Sequence, residues 1–497
     1  MNAFKPVILW TDALIYVLIA VIIVFVFVVR RREYLLAPWR RVAHSASGMS
    51  SVVVLSIFGV VGVLDSVHFR PAIGPDTGEE NYSVEVRSLL DVIAAPLRAK
   101  AEKTYSAPFA AQLFSKETVT LPDGSEARVY PRLRHGGAHL ENPGVQRFGD
   151  ILTRLGIAVG VAVLAWLAIS ALLILYRSWR RESSFRASSV RFARGDSDFP
   201  WRAVLITIGV ALLVIVPMIV LSRHYHVLGT DKVGQDVLYL AVKSIRTGLV
   251  IGTLTTLVML PFALALGIMA GYFRGWIDDV IQYTYTTLSS IPGVLLIAAA
   301  VLMTQVYMDT HPEMFETVSQ RADLRLLFLC IILGITSWTG LCRLLRGETL
   351  KLREMEYIQA AQAFGVSSWR ITSRHILPNV MHIVLIAIVM DFSGLVLAEA
   401  VLSYVGVGVD PSMISFGTMI NSARLEMARE PMVWWSLAAA FTFMFVLVLF
   451  ANLFADAVRD AFDPRVRTRA GKAAARRANL AKMIPATSAA QPTLGLK

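Results

Sequence analysis

Two carboxylates, Asp391 and Glu399, stand in one long apolar run of this 497-residue chain. They lie eight residues apart, about two helical turns, so a helix would carry them on one face. Carboxylates within a membrane-spanning helix are costly, and they turn toward a bundle interior or a water-filled path. Two readings follow: a polar stripe along a path through the membrane, or hydrogen bonds that hold a neighbouring helix. Asp391, nearer mid-run, favours the first, and Glu399, nearer one end, fits both. His135 and His139, four apart, and His224 and His226, two apart, could touch a metal. Neither pair has a nearby cysteine or a third ligand, and His135 runs into Gly136-Gly137, a loop composition, so no metal site is assigned. The chain has no G-x-x-x-x-G-K-[ST] phosphate loop, no G-x-S-x-G and no H-E-x-x-H. No catalytic residue and no cofactor is therefore assigned to it.

A different chemistry, that of docking, is suggested by Tyr357–Pro378, YIQAAQAFGVSSWRITSRHILP. The stretch lies between two apolar runs and reads as helix–turn–helix. Ala360 and Ala361 keep a helix surface small enough for a partner's cleft to close over it. Gly365 suits a helix end that needs φ > 0, and Pro378 marks the start of the next helix, where its missing N–H is no loss.

The elements that must position these residues are membrane spans. Hydrophobic residues make up 55% of the chain, and the mean hydropathy is +0.58, values of an integral membrane protein. Nine runs approach the ~20 apolar residues a span needs: Thr11–Val29, Gly48–Val67, Leu155–Tyr176, Ala203–Leu221, Thr247–Tyr272, Ile281–Met303, Leu324–Leu341, Val380–Tyr404 and Met432–Leu453. Arginines follow the first run and no cleavage site is evident, so it reads as an anchor. Cys330 and Cys342, the two cysteines, are too few for a disulfide framework.

The net charge of +12 sits beside span ends and not in a nucleic-acid-binding patch. Five Lys/Arg fall in the loop Arg30–Ser47, seven in Arg177–Arg202 and nine after Leu453. Placing these segments in the cytoplasm puts the N-terminus outside, the C-terminus inside and the docking stretch inside. Asp65–Asp150, with ten Lys/Arg against twelve Asp/Glu, then becomes an external segment. Its Tyr82–Lys103 is helix-like. Glu117–Leu121 and Ala127–Tyr130 flank the turn composition Pro122-Asp123-Gly124-Ser125 and suggest a hairpin. A small α+β cap is expected there, and a solvated or lipid-associated basic tail after Asp463.

From about His226 to Asp463 the chain resembles the oligopeptide/dipeptide (peptide/nickel) permease family of ABC importers, in its C-type subunit. His226-Val227-Leu228-Gly229-Thr230-Asp231-Lys232-Val233-Gly234-Gln235-Asp236 is similar to the family's outer turn H-x-x-G-T-D-x-x-G-R-D, with Gln235 where arginine is usual. Gly271-Tyr272-Phe273-Arg274-Gly275-Trp276-Ile277-Asp278 is similar to its inner turn G-Y-x-G-G-x-x-D. The docking stretch, followed by Asn379, resembles the "EAA" loop, with Gln359 in place of the acid. Leu397-Ala398-Glu399-Ala400, Ser403-Tyr404-Val405-Gly406-Val407-Gly408 and Arg459-Asp460-Ala461-Phe462-Asp463-Pro464-Arg465 complete the resemblance, which covers about half of the chain.

The resemblance implies an all-α integral membrane protein of about nine spans, a six-helix permease core plus three N-terminal helices. The expected divisions are 1–64 (two spans), 65–150 (external cap), 151–202 (third span and basic linker), 203–463 (permease core) and 464–497 (basic tail). It implies an ATPase-coupling loop at Gln359, Ala360, Ala361, Gly365, Leu377 and Pro378, a translocation path past Asp391 and Glu399, and an outer turn motif at Gly229, Thr230, Asp231, Gly234 and Asp236. The implied partners are a homologous second permease, two ATPase domains that bind the ATP and Mg, an extracytoplasmic substrate-binding protein and the bilayer of a bacterial inner membrane. A rival of another class is a membrane scaffold or sensor whose cap binds a ligand or an envelope partner.

Overall fold

The computed structural model describes residues 4–31, 33–72, 82–120, 126–180, 199–315 and 317–462. The tail, most of the basic linker and the turn Pro122–Ser125 lie outside the described residues. The protein is all-α apart from two small sheets, and among the described residues nine helices are long and apolar enough to cross a membrane.

The chain starts with a strand, β1 (Phe4–Val7), and enters helix α1 (Trp10–Arg31), an apolar run that ends on Arg30 and Arg31. Helix α2 (Glu33–His44) occupies what the sequence reads as a loop; Trp39 stacks edge-on against Phe462, and Arg41 donates to the Ala461 carbonyl at 3.0 Å. Helix α3 (Ala46–Asp65) leads back to the cap. Strand β2 (His68–Pro71) pairs antiparallel with β1, Phe4 opposite Pro71, and with β3 (Arg87–Ser88). The N-terminal strand is thus part of the cap.

The cap's helical part is α4 (Leu89–Ile93), opened by a reciprocal Ser88/Asp91 capping box, and α5 (Ala95–Arg98). The single helix expected over Tyr82–Lys103 is corrected to these two pieces, which meet at Ala94 just before Pro96, a residue at home only in a helix's first turn. Strands β4 (Glu117–Thr120) and β5 (Glu126–Val129) form the expected antiparallel pair.

Helix α6 (Pro143–Arg180) begins well before the expected Leu155, and α7 (Trp201–Ser222) packs along it; Trp166 donates to the Leu205 carbonyl at 2.8 Å. The remaining helices are α8 (Val237–Phe273), α9 (Trp276–Ser290), α10 (Gly293–Thr310), α11 (Val318–Ser337), α12 (Thr339–Arg353), α13 (Glu356–Ala363), α14 (Ser368–Tyr404), α15 (Phe416–Glu426) and α16 (Trp435–Phe462).

Two prolines decide helix boundaries, and one of them breaks an expected span. The span read as Ile281–Met303 is broken at Ile291-Pro292 into α9 and α10, because a residue before proline is pushed out of the helical region; Ile291 has φ −85° and ψ 131°. At Pro378 the expectation holds: regular α-helix starts at Leu377 with Pro378 in its first turn, and it follows without a gap from Ser368 through a π turn at Thr372–Ile376, the whole making up α14. A proline ring crowds the carbonyl four residues back and offers no N–H. Here that carbonyl belongs to Arg374, inside the widened turn, and the i→i+5 pattern of the turn accommodates the proline.

Burial follows three levels along the bundle, named inner at the docking stretch and outer at the cap after the expected orientation. An inner cluster packs Met259, Tyr272, Leu345, Ile358, Ile371 and Ile376. A middle cluster packs Val250, Leu254, Leu326, Leu329 and Leu402. An outer cluster joins Tyr105 of the cap to Val237, Trp435 and Ala440 of the core.

Candidate functional site: a coupling loop and an outer turn

At the inner end, α13 is pinned by one side chain. Ile358 is fully buried, while Gln359 and Ala360 on the same helix are exposed and Ala361 is half-buried. The helix stops at Gly365, whose φ is +72°, and the chain resumes as α14. A Cβ at Gly365 would meet nothing within 4 Å, so backbone conformation alone calls for glycine there. Gln359 reaches the Glu354 carbonyl at 3.3 Å, and Leu377 packs half-buried on the inner cluster. Pro378 is exposed beside Asn379, which donates to Tyr357 Oη (3.1 Å) and to the His375 carbonyl (2.7 Å).

The inner turn braces this loop. Asp278 takes two hydrogen bonds from Arg346, at 2.6 and 2.7 Å, and these outweigh the opposing effect of partial burial and hold its carboxyl below the usual range. Gln362 of α13 lies 3.4 Å from Tyr272 Oη. Two residues that the sequence reading passed over dominate the surface. Phe364 is 85% exposed and Trp369 80% exposed, one on each side of Gly365. The signal was available, since two large apolar side chains flanking a polar turn have no reason to face water unless something covers them.

At the outer end the turn 226–236 is buried and closed. His226 Nδ1 lies 2.8 Å from Asp236 Oδ2, and its Nε2 lies 3.4 Å from Glu102 of the cap. Glu102 also accepts the backbone N–H groups of Arg134, His135 and Gly136 at 2.8–3.1 Å. Burial pushes the Glu102 carboxyl up, but His226 and the three amides outweigh it and hold it at about 2. Burial likewise opposes the imidazolium, yet Asp236 and Glu102 push His226 up to about 9.

Thr230 accepts the Ser106 amide at 2.7 Å and donates to the Thr104 carbonyl at 2.9 Å. Trp435 donates to the Thr230 carbonyl at 2.9 Å. Asp231 receives the amides of Val233 and Gln235, Gly229 accepts that of Val237 at 3.1 Å, and Asp236 caps α8 through the amide of Leu238. Gly234, at φ +77°, would bring a Cβ to 1.9 Å from the Glu102 carbonyl oxygen. The outer motif therefore caps the next helix, as its residues suggest, and also receives a cap segment from over a hundred residues upstream. His139 and His224 are neighbours, with ring centroids 5.0 Å apart, and His139 bonds Asp150 at 2.9 Å.

The two intramembrane carboxylates part company. Glu399 is buried and accepts from Ser403 (2.7 Å) and Ser415 (2.9 Å), which ties α14 to the start of α15. Asp391 is half-buried, and among the described residues it makes no ion pair. A second polar cluster was missed by sequence reasoning. Arg246 of α8 meets Asp12 of α1 at 2.6 Å and Thr11 at 3.0 Å, and Thr11 in turn bonds Asp323 of α11. Its trace in the sequence is charge at the start of apolar runs: Asp12 in the first, and Lys243 and Arg246 before the fifth.

Comparison with known proteins bears on this architecture. Residues 263–468 match the family described as "Binding-protein-dependent transport system inner membrane component". The oligopeptide transport system permease protein OppC of Mycobacterium tuberculosis is 32% identical over 243 residues, 49% of this chain and 77% of that protein. The glutathione transport system permease protein GsiD of Pectobacterium atrosepticum is 32% identical over 245 residues, 49% and 74% respectively. The dipeptide transport system permease protein DppC of Lactococcus lactis is 30% identical over 244 residues, 49% and 65%. The helices that carry the inner loop and the outer turn are those of a membrane permease, and the chain belongs to the oligopeptide/dipeptide permease family of ABC transporters.

Proposed function

We propose that this chain forms half of the translocation path of an ATP-driven importer of peptides, together with a homologous second permease. The observation that carries the reading is the inner loop: Phe364 and Trp369 stand exposed on an element continuous with a membrane-crossing helix. An apolar pair of this kind fits the cleft of an ATPase subunit, and closure of two such subunits around ATP and Mg would move α14. Rocking of the bundle between inward- and outward-open states follows from such a motion. The chain does not hydrolyse ATP in this reading; its partners do. Peptides are the substrate class for which OppC and DppC are named. An extracytoplasmic binding protein would deliver them to the cap side.

Affinity purification in mild detergent, with mass spectrometry of the partners, tests the assignment. Two ATPase subunits and a second permease are expected, and peptide uptake is expected to fail in a strain lacking the chain. Purification without any ATPase would overturn it. The proposed orientation, N-terminus and cap outside a bacterial inner membrane, predicts that a cysteine at Ser115 is labelled from outside intact spheroplasts and one at Ser47 is not. The opposite pattern would sink it.

A further inference from the structure

The cap and the core do not meet flush everywhere. Between the cap segment after Glu102 and the loop that joins α15 to α16 lies a half-open cavity of about 530 Å³ on the outer face. Tyr105 and Phe114 give it an aromatic wall. Both are fixed from behind: Tyr105 donates to Glu426 at 3.0 Å, and Phe114 stacks edge-on against Trp435 with centroids 4.8 Å apart. One ion pair on the wall, Lys103 with Glu117 at 2.7 Å, is satisfied within the cap. The loop before α16 supplies the neighbours Arg429 and Glu430, both exposed, and neither makes a salt bridge among the described residues. The Arg429 guanidinium stands 5.3 Å from the centre of the Tyr105 ring.

A cation held over an aromatic face, an anion beside it and a rigid apolar wall together match a small zwitterion that carries a side chain. Guanidinium binds a carboxylate through paired N–H groups, and the ring beneath it keeps the fork in place. The volume lies within the range of small-ligand sites, large enough for a few amino-acid residues and far too small for a folded domain. We propose that this seam cavity binds the C-terminal end of a short peptide, with the carboxylate on Arg429, the last side chain against Tyr105 and Phe114, and Glu430 facing a peptide amine. The site would hold substrate on the outer face before it enters the membrane path. The inference rests on the peptide reading above and adds a location to it.

The test uses the full chain in nanodiscs, without partners, and unlabelled Ala-Ala-Phe against the same peptide as its C-terminal amide, with binding read by calorimetry. The free acid is expected to bind at least about tenfold more tightly, the loss typical of one charge-assisted contact. Arg429→Gln should reduce acid binding to the level of the amide and leave the amide unchanged. Tyr105→Leu, whose melting temperature reports whether the outer cluster still packs, should weaken both peptides. Equal binding of acid and amide, or acid binding unaltered by R429Q, would overturn the proposal. ATPase co-purification and uptake are read separately: if they are intact while no peptide binds the isolated chain, the seam site falls and the importer reading stands.

Discussion

The two ends of the bundle both carry a glycine-bearing turn beside a long helix, and they are finished in opposite ways. At the outer end nearly every polar group of the turn 226–236 is answered within the chain, by Glu102, Thr104, Ser106 and Trp435. At the inner end a Cβ on Gly365 would meet open space, and the largest side chains of the turn, Phe364 and Trp369, face outward. The first arrangement is a lock, since any movement would strand buried donors and acceptors. The second leaves two large apolar rings uncovered, which is what the proposed docking role requires. Glycine content does not distinguish them; what surrounds the glycine does.

Substitutions can break that contrast. The largest effect on the stability of the chain is expected from Gly234→Ala, because the added carbon overlaps the Glu102 backbone and the φ is left-handed as well. Its cost should exceed the about 1–3 kcal/mol of backbone strain alone. The measurement is the melting temperature together with protease sensitivity of the cap; an unshifted melt would mean that the outer turn is no lock. Gly365→Val carries the strain without the overlap, so the loss should stay within about 1–3 kcal/mol. Membrane levels should remain near normal while uptake and ATPase co-purification fall. Normal uptake would remove the coupling role of the loop.

The pH response sharpens the comparison, since the outer turn holds the buried charged trio Glu102, His226 and Asp236, which the turn around Gly365 does not match among the described residues. Glu102 sits at about 2, below the ordinary 4.5, so its contribution is present above 4.5 and lost as pH falls toward about 2. His226 sits at about 9, above the ordinary 6.5, so its contribution is complete below 6.5 and lost as pH rises through about 9. Hydrogen exchange of the amides of Arg134, His135 and Gly136 should therefore be slowest, after correction for intrinsic rates, between pH 4.5 and 6.5 and quicken toward pH 9. In Glu102→Gln the rise toward pH 9 should shrink; an identical profile would detach His226 from the lock. The smallest effect on stability is expected from Trp369→Ala, within about 0.5 kcal/mol because the ring is 80% exposed. Its effect on ATPase co-purification should nonetheless be large. A substantial drop in melting temperature would show the ring to be packed within the chain.

Much of this contrast was hidden in the sequence for identifiable reasons. Spans were legible because apolar length is a one-dimensional property, and Gly365 was legible because a helix end needs a local conformation. The break at Ile291-Pro292 was masked by apolar residues on both sides, and the π turn that leads into the helix start at Pro378 leaves no compositional mark. The partnership of Glu102 with His226 spans 124 positions and follows no periodicity, so nothing short of the folded chain could pair them. Phe364 and Trp369 could have been flagged from their polar setting alone. Asp391 and Glu399 share a helix and a carboxylate, yet Glu399 is set apart by Ser403 one turn on and by Ser415, which only the fold brings to it from the start of α15.

The unbroken course of α14 has a mechanical consequence. Its 37 residues make a rod about 55 Å long, with Trp369 near one end and Glu399, clasped to α15, near the other. A rod of this kind transmits tilt instead of absorbing it: pivoted at one end, it turns a rotation of about 5° into about 5 Å of travel at the other, given that length. The one compliant link is the widened turn at Thr372–Ile376, just above the exposed tryptophan. In the proposed coupling, its stiffness would set how much of a push applied at the tryptophan arrives at the far end of the rod and how much is dissipated as local bending.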